Sequence, residues 1–197
     1  MANVMYEVGK PEGRSGARRI VVIGTTSSGK TTVARELSRR LQAPHVELDA
    51  LYWEPNWTVA EPEVFRERVS NALKGDRWVV DGGYSKIRDL IWPNATDVVW
   101  LDYSLALKMR WLLWRTLRRS ISGEELWNGN RERFRAAFMS RDSLFLWLLR
   151  THWSRRRVFP QALKQPEHAH LRVVRLRSPR ETKAWLARPE QAAAAER

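Results

Sequence analysis

The chain has 197 residues, of which 43% are hydrophobic, and a formal net charge of +13. That length suits one domain with a substantial core, and the apolar content excludes a disordered chain. There are no cysteines, so a disulfide scaffold and thiolate-ligated metal sites are excluded. No apolar run is long enough to span a bilayer, and residues 1–19 lack the apolar segment of a secretory signal. We therefore expect a cytoplasmic protein with no membrane partner.

Strands and helices alternate along the predicted chain. Short runs rich in β-branched residues predict strands at Arg19–Ile23, His45–Leu48, Trp78–Val80, Asp97–Leu101 and Leu171–Leu176. Helical spacing of apolar residues predicts helices at Thr31–Leu41, Pro62–Leu73, Leu105–Ser120, Arg131–Arg157 and, capped by Ser178, up to Leu186. Residues 1–17 and 189–197 are expected to be a flexible leader and tail. The alternation predicts a single α/β domain over residues 18–188, with a five-stranded parallel sheet flanked by helices.

The first strand leads into a phosphate-binding motif. The residues expected to contact nucleotide phosphates are consecutive: Gly24, Thr25, Thr26, Ser27, Ser28, Gly29, Lys30, Thr31 and Thr32. Glycines let backbone N–H groups turn toward phosphate oxygens, and the start of a helix adds partial positive charge there. Lys30 is expected to reach the β- and γ-phosphates, and the Thr31 hydroxyl to ligate Mg²⁺. The motif predicts a P-loop, with ATP or GTP as its ligand.

A P-loop also needs a carboxylate near the metal, at the end of a neighbouring strand. Asp81 follows the third predicted strand directly and is the first candidate for this metal-supporting role. Asp102, after the fourth strand, is the second candidate, although a helix N-terminal position is its favoured interpretation. Gly82 and Gly83 after Asp81 indicate either a close backbone approach to ligand or a tight turn.

The positive charge is concentrated in one segment. Residues 104–160 contain 13 Lys and Arg against 4 Asp and Glu, whereas residues 21–103 contain 10 against 12. Arg115, Arg118 and Arg119 share one helical face, and Arg131 and Arg135 share another. We expect a lid over about 115–140 whose arginines, chiefly Arg115, Arg119 and Arg131, stabilise a transferring phosphoryl group. A run of arginines such as residues 155–157 is more often surface charge, and no role is assigned to it.

The chain lacks the base-reading motif of GTPases and the signature of transporter ATPases, which leaves a kinase-like protein. Its order of motifs resembles the adenylate-kinase-like superfamily of P-loop kinases. The details are closer to kinase-like proteins labelled DNA topology modulation protein. The stretches that carry this resemblance are 48–53, 81–85, 100–103 and 125–132, within an overall match of about 19–186. Such proteins commonly have Asn where this chain has Gly83.

The resemblance implies an ATP site and an acceptor site between the P-loop, Asp49 and the turn after Asp81. It also implies that the loop near Arg177 and Pro179 lies against the adenine. Asp49 is a candidate to hydrogen-bond an acceptor hydroxyl or act as a base, with a helix N-cap as the alternative. Trp53, Trp57 and Tyr84 are candidates for an aromatic wall, with core packing as the alternative.

Two functions are compatible with these features. The first is an ATP- and Mg²⁺-dependent phosphotransferase that acts on a small molecule or nucleotide. The second is an ATP-binding, nucleic-acid-associated regulator, favoured by the basic segment. The sequence does not identify the acceptor, does not distinguish ATP from GTP by a base-reading side chain, and does not indicate an oligomeric state.

Overall fold

The structure is a computed structural model that describes residues 17–122, 125–130 and 144–188. Its main sheet has five parallel strands in the order β2-β5-β1-β6-β7, and a two-stranded hairpin is formed by β3 and β4. The strands are β1 (Arg18–Gly24), β2 (His45–Glu47), β3 (Trp53–Glu54), β4 (Thr58–Val59), β5 (Arg77–Asp81), β6 (Asp97–Leu101) and β7 (Arg172–Leu176). The predicted five-stranded parallel sheet is confirmed.

Helices cover both faces of this sheet. They are α1 (Lys30–Leu41), α2 (Leu48–Tyr52), α3 (Pro62–Ala72), α4 (Arg88–Ile91), α5 (Leu105–Ser122), α6 (Leu144–Leu163) and α7 (Pro179–Leu186). Short 3₁₀ helices lie at Pro55–Trp57, Ser85–Ile87, Trp92–Asn94, Trp127–Gly129 and Pro166–His168. Among the described residues no helix combines the length and apolarity needed to cross a membrane.

Alternation along the central strand creates two separate cores. Ile20 and Val22 pack with α1 and with Trp185 of α7, whereas Val21 and Ile23 pack with α3 and with Phe159 of α6. Successive side chains of a strand point to opposite faces, so a β-branched run buried on both sides serves both cores. Because β1 and β5 are parallel neighbours, their carboxyl ends meet at one edge of the sheet, where Gly24 and Asp81 lie.

One predicted helix has different bounds, and several short elements were not predicted. The helix predicted over 131–157 is described only from Leu144, and it continues to Leu163 because Phe159 packs edge-to-face on Trp100, with 5.8 Å between ring centroids. The hairpin of β3 and β4 and the short helices α2 and α4 have no counterpart in the prediction, because elements of two to five residues carry too little periodicity. Leu48, predicted to end the second strand, begins α2. The predicted tail and nearly all of the leader lie outside the described residues.

Candidate active site

The P-loop connects β1 to α1 in the predicted strand–loop–helix arrangement. A Cβ added to Gly24 would lie 2.5 Å from Ser28 Oγ and 3.0 Å from the Leu101 carbonyl oxygen, so only glycine fits there. Ser27 and Gly29 adopt left-handed backbone conformations, with φ of 55° and 80°. Such alternations turn consecutive N–H groups toward one point and form an anion-binding concavity. The loop therefore has the geometry that a phosphate group requires.

A cavity of about 1250 Å³ opens in front of this loop. The P-loop residues that line it are Thr26, Ser27, Gly29, Lys30, Thr31 and Thr32. The Ser27 hydroxyl is buried and has no hydrogen-bond partner within the described ranges, which fits a hydroxyl aimed at a phosphate oxygen. Gly24, Thr25 and Ser28, also predicted to contact phosphate, do not line this cavity, and the side chain of Thr25 is turned away from it.

Lys30 lies at the floor of the cavity. Its Nζ donates a hydrogen bond to the Thr25 carbonyl oxygen at 3.1 Å. Burial lowers the pKa of Lys30, and the negative charges of Asp49 and Asp81 oppose that shift. The negative charges of both carboxylates thus act on the ammonium at the edge of the sheet, where phosphate oxygens would meet it.

Thr31 and Asp81 line the same cavity, so the structure brings the two predicted metal-binding residues together. Asp81 is only 4% exposed, and its Oδ1 lies 3.6 Å from Nε2 of His45. A hydroxyl and a carboxylate are the hard oxygen ligands that Mg²⁺ prefers, and phosphate oxygens would complete the set. The residues present therefore fit this ion.

Asp102 is neither at the predicted metal site nor at the start of a helix, the two positions that the sequence suggested for it. Its Oδ1 accepts a 2.6 Å hydrogen bond from Nε of Arg156, and its Oδ2 accepts a 2.5 Å hydrogen bond from Nη2 of Arg175. It lines neither cavity described here, and helix α5 begins three residues later at Leu105. The buried carboxylate is engaged by two arginines from other elements, which is why both interpretations of it were wrong.

Asp49 lies on the wall of the large cavity opposite the P-loop. It is in the first turn of α2, where Glu47 is the N-cap residue, so the alternative interpretation as an N-cap is wrong. Its Oδ1 accepts a 2.5 Å hydrogen bond from the Tyr84 hydroxyl. Burial, followed by the charge of Asp49, raises the pKa of Tyr84, so the phenol stays protonated and orients the carboxylate.

The predicted aromatic wall is replaced by other side chains. Trp53 and Trp57 pack edge-to-face on each other with 5.5 Å between centroids, and Tyr84 packs on Phe65. None of the three candidates Trp53, Trp57 and Tyr84 lines the cavity, whose aromatic lining is Trp111, Trp114 and Trp127. Trp111 and Trp114 belong to α5. Helical spacing alone did not show which tryptophans of this helix face the cavity and which face solvent.

Residues 125–130 close the wall beyond Asp49. Trp127 donates a 3.0 Å hydrogen bond from Nε1 to Glu47 Oε2, and the buried Asn130 joins the segment to the β3–β4 hairpin. The Asn130 amide accepts from the Trp57 backbone at 2.8 Å and donates to the Glu54 carbonyl at 2.9 Å. These contacts seat one part of the predicted lid region on the acceptor side of the cavity.

The described cations that line the cavity are Lys30 and Arg35 of α1 and three arginines of α5. Arg115, Arg118 and Arg119 of α5 all line it, as their i, i+3 and i+4 spacing predicted. Arg131 and Arg135, the other predicted lid arginines, lie outside the described residues. The cavity thus has cations facing Lys30 from the opposite side.

Arg155 lies beside the turn that follows Asp81, although it does not itself line the large cavity. Its Nη1 donates a 3.3 Å hydrogen bond to the Gly83 carbonyl, and its guanidinium lies over the Phe159 ring at 5.5 Å. Burial lowers the pKa of Arg155, while the charge of Asp49 opposes the shift. The sequence leaves residues 155–157 unassigned; in the structure Arg155 is half-buried, whereas Arg156 is exposed and binds Asp102.

A second cavity of about 580 Å³ adjoins the first across Gly29, Thr32 and Trp111. Pro179 lines it, as predicted for a residue beside the nucleotide base, together with Tyr103 and Trp111 of the α5 side. Arg177 does not line it, and its backbone N–H donates to Glu181 at 2.6 Å at the start of α7. A cavity of this size with aromatic walls can hold a planar base next to phosphates on the loop.

No protein-family model matches the chain, and no curated protein shows significant sequence similarity to it. Solved structures match its fold. Shikimate kinase from Bacteroides thetaiotaomicron superposes with a TM-score of 0.56 over 88% of this chain and 97% of that chain, at 16% identity. Shikimate kinase from Acinetobacter baumannii in complex with shikimate gives a TM-score of 0.50, with coverage of 85% and 88%, at 18% identity.

These matches define the class of fold. The chain has the α/β architecture of shikimate-kinase-like P-loop kinases, with a five-stranded parallel sheet between helices. The fold agrees with the superfamily that the motifs predicted. The narrower resemblance, to proteins labelled DNA topology modulation protein, stays a prediction.

Proposed function

We propose that the protein is an ATP- and Mg²⁺-dependent phosphotransferase with a small-molecule acceptor. The observation that carries the proposal is the convergence of P-loop, carboxylates and arginines on one cavity, with Lys30, Asp49, Asp81 and Arg115 all in its lining. Phosphoryl transfer depends mainly on positioning and on neutralising charge, and this set of groups supplies both. The adjoining smaller cavity offers a place for the base, beside Pro179.

Each group has a role in this proposal. The loop N–H groups and Lys30 bind the nucleotide phosphates, while Thr31 and Asp81 hold Mg²⁺, which neutralises charge between the phosphates when bound. Asp49, oriented by Tyr84, accepts the proton of an acceptor hydroxyl. The guanidinium groups of the lid region, including Arg115, Arg119 and Arg131, stabilise the charge of the transferring group.

Arg155 restricts the chemical class of acceptor that we propose. Its guanidinium has no ion pair with a carboxylate in the described ranges, and it donates a hydrogen bond to the carbonyl of Gly83, which follows the cavity-lining Gly82. A half-buried guanidinium without a carboxylate partner favours an anionic ligand, because its charge is otherwise poorly compensated. We expect an acceptor that carries a hydroxyl for Asp49 and a carboxylate or phosphate for Arg155.

Lys30→Ala tests the function. We expect the variant to lose MgATP turnover by about 100-fold or more, since a preorganised cation is removed from the phosphates, while its circular dichroism is unchanged. Lys164→Ala is the control, because Lys164 is exposed at the end of α6. Wild-type rates of phosphate transfer in Lys30→Ala would refute the assignment. The acceptor is sought by thermal shift and transfer assays over anionic and neutral hydroxyl compounds with MgATP.

The second candidate is an ATP-binding protein that contacts nucleic acid. The observation that favours it is the composition of α5 and α6, which contain nine Lys and Arg and no Asp or Glu. Exposed Trp114, Trp147 and Trp153 stand on the same helices as these cations. Arginines beside exposed tryptophans are typical of single-stranded nucleic acid sites, where bases stack on rings and the backbone meets cations.

A further inference from the structure

Lys108 of α5 is buried beneath the P-loop, with 1% of its surface exposed. Its Nζ donates hydrogen bonds to Thr25 Oγ1 at 2.8 Å and to Nδ1 of His152 at 2.7 Å. Both partners are uncharged, since a histidine nitrogen that accepts a hydrogen bond from an ammonium carries no proton there. Within the described ranges, no carboxylate forms an ion pair with this lysine. Lys108 is thus a buried cation with neutral hydrogen-bond partners.

The charges that face Lys108 do not balance it. Lys30 on the P-loop and Arg156 on α6 are positive, and Asp102 after β6 is the one negative group that acts on it. Asp102 is already engaged by Arg156 and Arg175. Burial, reinforced by the two cations, lowers the pKa of Lys108 to about 8. An unbalanced buried charge is costly, so a nearby anion would stabilise it strongly.

Thr25 connects this lysine to the phosphate site. Lys30 donates to the main-chain oxygen of Thr25 at 3.1 Å, while Lys108 donates to its hydroxyl. Two lysines therefore hold one loop residue from two directions. Because Lys108 lies on α5 and His152 on α6, the contact also joins the loop to the two helices that flank the predicted lid.

We propose that Lys108 is a positioning residue that holds the P-loop for nucleotide phosphates, and that bound phosphates balance its buried charge. The inference rests on the proposed function, because it requires nucleotide phosphates on residues 24–31. It assigns the loop a second lysine, on the side away from the ligand, in addition to Lys30. Occupancy of the loop is then transmitted to α5 and α6 through Thr25, Lys108 and His152.

Calorimetric titration with MgADP at pH 8, in two buffers of different ionisation enthalpy, tests the inference. Wild-type protein is expected to take up protons on binding, because phosphates raise the pKa of Lys108. Lys108→Met is expected to take up fewer protons than the wild type, with Lys30 accounting for the uptake that remains, and to bind MgADP about 10-fold or more weakly, since a hydrogen-bonding charge is removed from the loop. Lys164→Met, the same change at an exposed lysine directly after α6, is expected to behave as wild type.

The outcomes separate the two proposals. If wild-type protein does not bind MgADP, the proposed function itself fails, and this inference fails with it. If wild-type protein binds and Lys108→Met shows the same affinity, or weaker affinity with unchanged proton uptake, only the role of Lys108 is overturned. Should circular dichroism show that Lys108→Met is unfolded, Lys108→Gln, which keeps a donor without the charge, is measured against the same two criteria.

Discussion

Gly83 leaves a space beside the turn that follows Asp81, and Arg155 fills it. A Cβ at this position would lie 2.4 Å from Nη1 of Arg155, so any side chain there displaces the guanidinium. The resembling proteins commonly carry Asn at this position. In this chain the loss of that side chain is accompanied by an arginine from a helix 72 residues away in sequence. At this turn an amide of the resembling proteins is thus exchanged for a cation.

We expect Gly83→Ala to raise the KM of an anionic acceptor about 10-fold, because the methyl group moves the Arg155 guanidinium. The affinity for MgATP is expected to stay at the wild-type value, which serves as the internal control. Arg155→Met is expected to have a similar effect, and the double variant no further one, since both changes remove the same interaction. Additive effects in steady-state kinetics would show that Gly83 and Arg155 act independently.

At the scale of elements, α5 and α6 each contribute packing against the fold, positive charge and, through Lys108 and His152, a connection to the P-loop. Each buries one stripe against the fold, with Lys108, Leu112 and Thr116 on α5 and Leu148, His152 and Phe159 on α6. Their inner stripes meet the P-loop through Lys108 and His152. Arginines on the remaining faces line the cavity or bind Asp102. The two helices therefore combine packing, charge and contact with the loop.

His152 makes this helix pair sensitive to acid. Burial, with the charges of Lys108 and Arg156, lowers its pKa from 6.5 to about 4. Between these values the unfolded chain binds a proton that the folded chain does not, so stability falls as the pH decreases from about 6.5 to about 4. We expect His152→Asn, which keeps a hydrogen-bond acceptor but does not titrate, to lose less free energy of unfolding than the wild type when the pH is lowered from 7.5 to 5.

Urea midpoints at those two pH values measure this effect. His170→Asn is the matched control, because His170 is exposed and lies outside the helix pair. The carboxylates contribute equally to wild type and variants, so the comparison isolates the histidine. An acid-induced change in His152→Asn as large as that of the wild type would contradict the assignment of a neutral, buried imidazole.

At the scale of the whole molecule, most of the net charge of +13 is concentrated in residues 104–160. Part of that charge has an internal use, since Lys108 holds Thr25, Arg156 binds Asp102, and Arg115, Arg118 and Arg119 line the cavity. Arg150 and Arg157 remain on the exposed face of α6, beside Trp153. The described cations of this segment are thus divided between the cavity side and an exposed basic face.

The nucleic-acid candidate depends on the exposed face. If several backbone phosphates are contacted there, binding of a single-stranded oligonucleotide is expected to fall steeply with salt, by about 0.7 logarithmic units per contact for each tenfold rise in salt. Fluorescence anisotropy over a salt series measures the slope. Arg150→Gln with Arg157→Gln is expected to reduce it, and Lys74→Gln, at an exposed lysine away from both helices, is the control. A flat response would remove this candidate.

Local sequence was sufficient for several features of the fold and site. The P-loop, the five strands and the position of Asp81 after its strand depend on spacing within about ten residues, where glycine conformation, helix starts and strand alternation are encoded. The arginines of α5 were predicted for the same reason, since helical periodicity alone places residues 115, 118 and 119 on one face.

Tertiary structure decided the features that join distant segments. Arg155 reaches Gly83, Lys108 reaches Thr25 and Asp102 binds Arg156 across 72, 83 and 54 residues. No local pattern marks which arginine of a basic run is buried, or which lysine of an amphipathic helix faces a loop. Those outcomes depend on how the helices pack against the sheet. The sequence by itself therefore determined a P-loop on a parallel sheet, whereas packing determined which cations contact the loop, which are half-buried beside the turn after Asp81, and which stay on the surface.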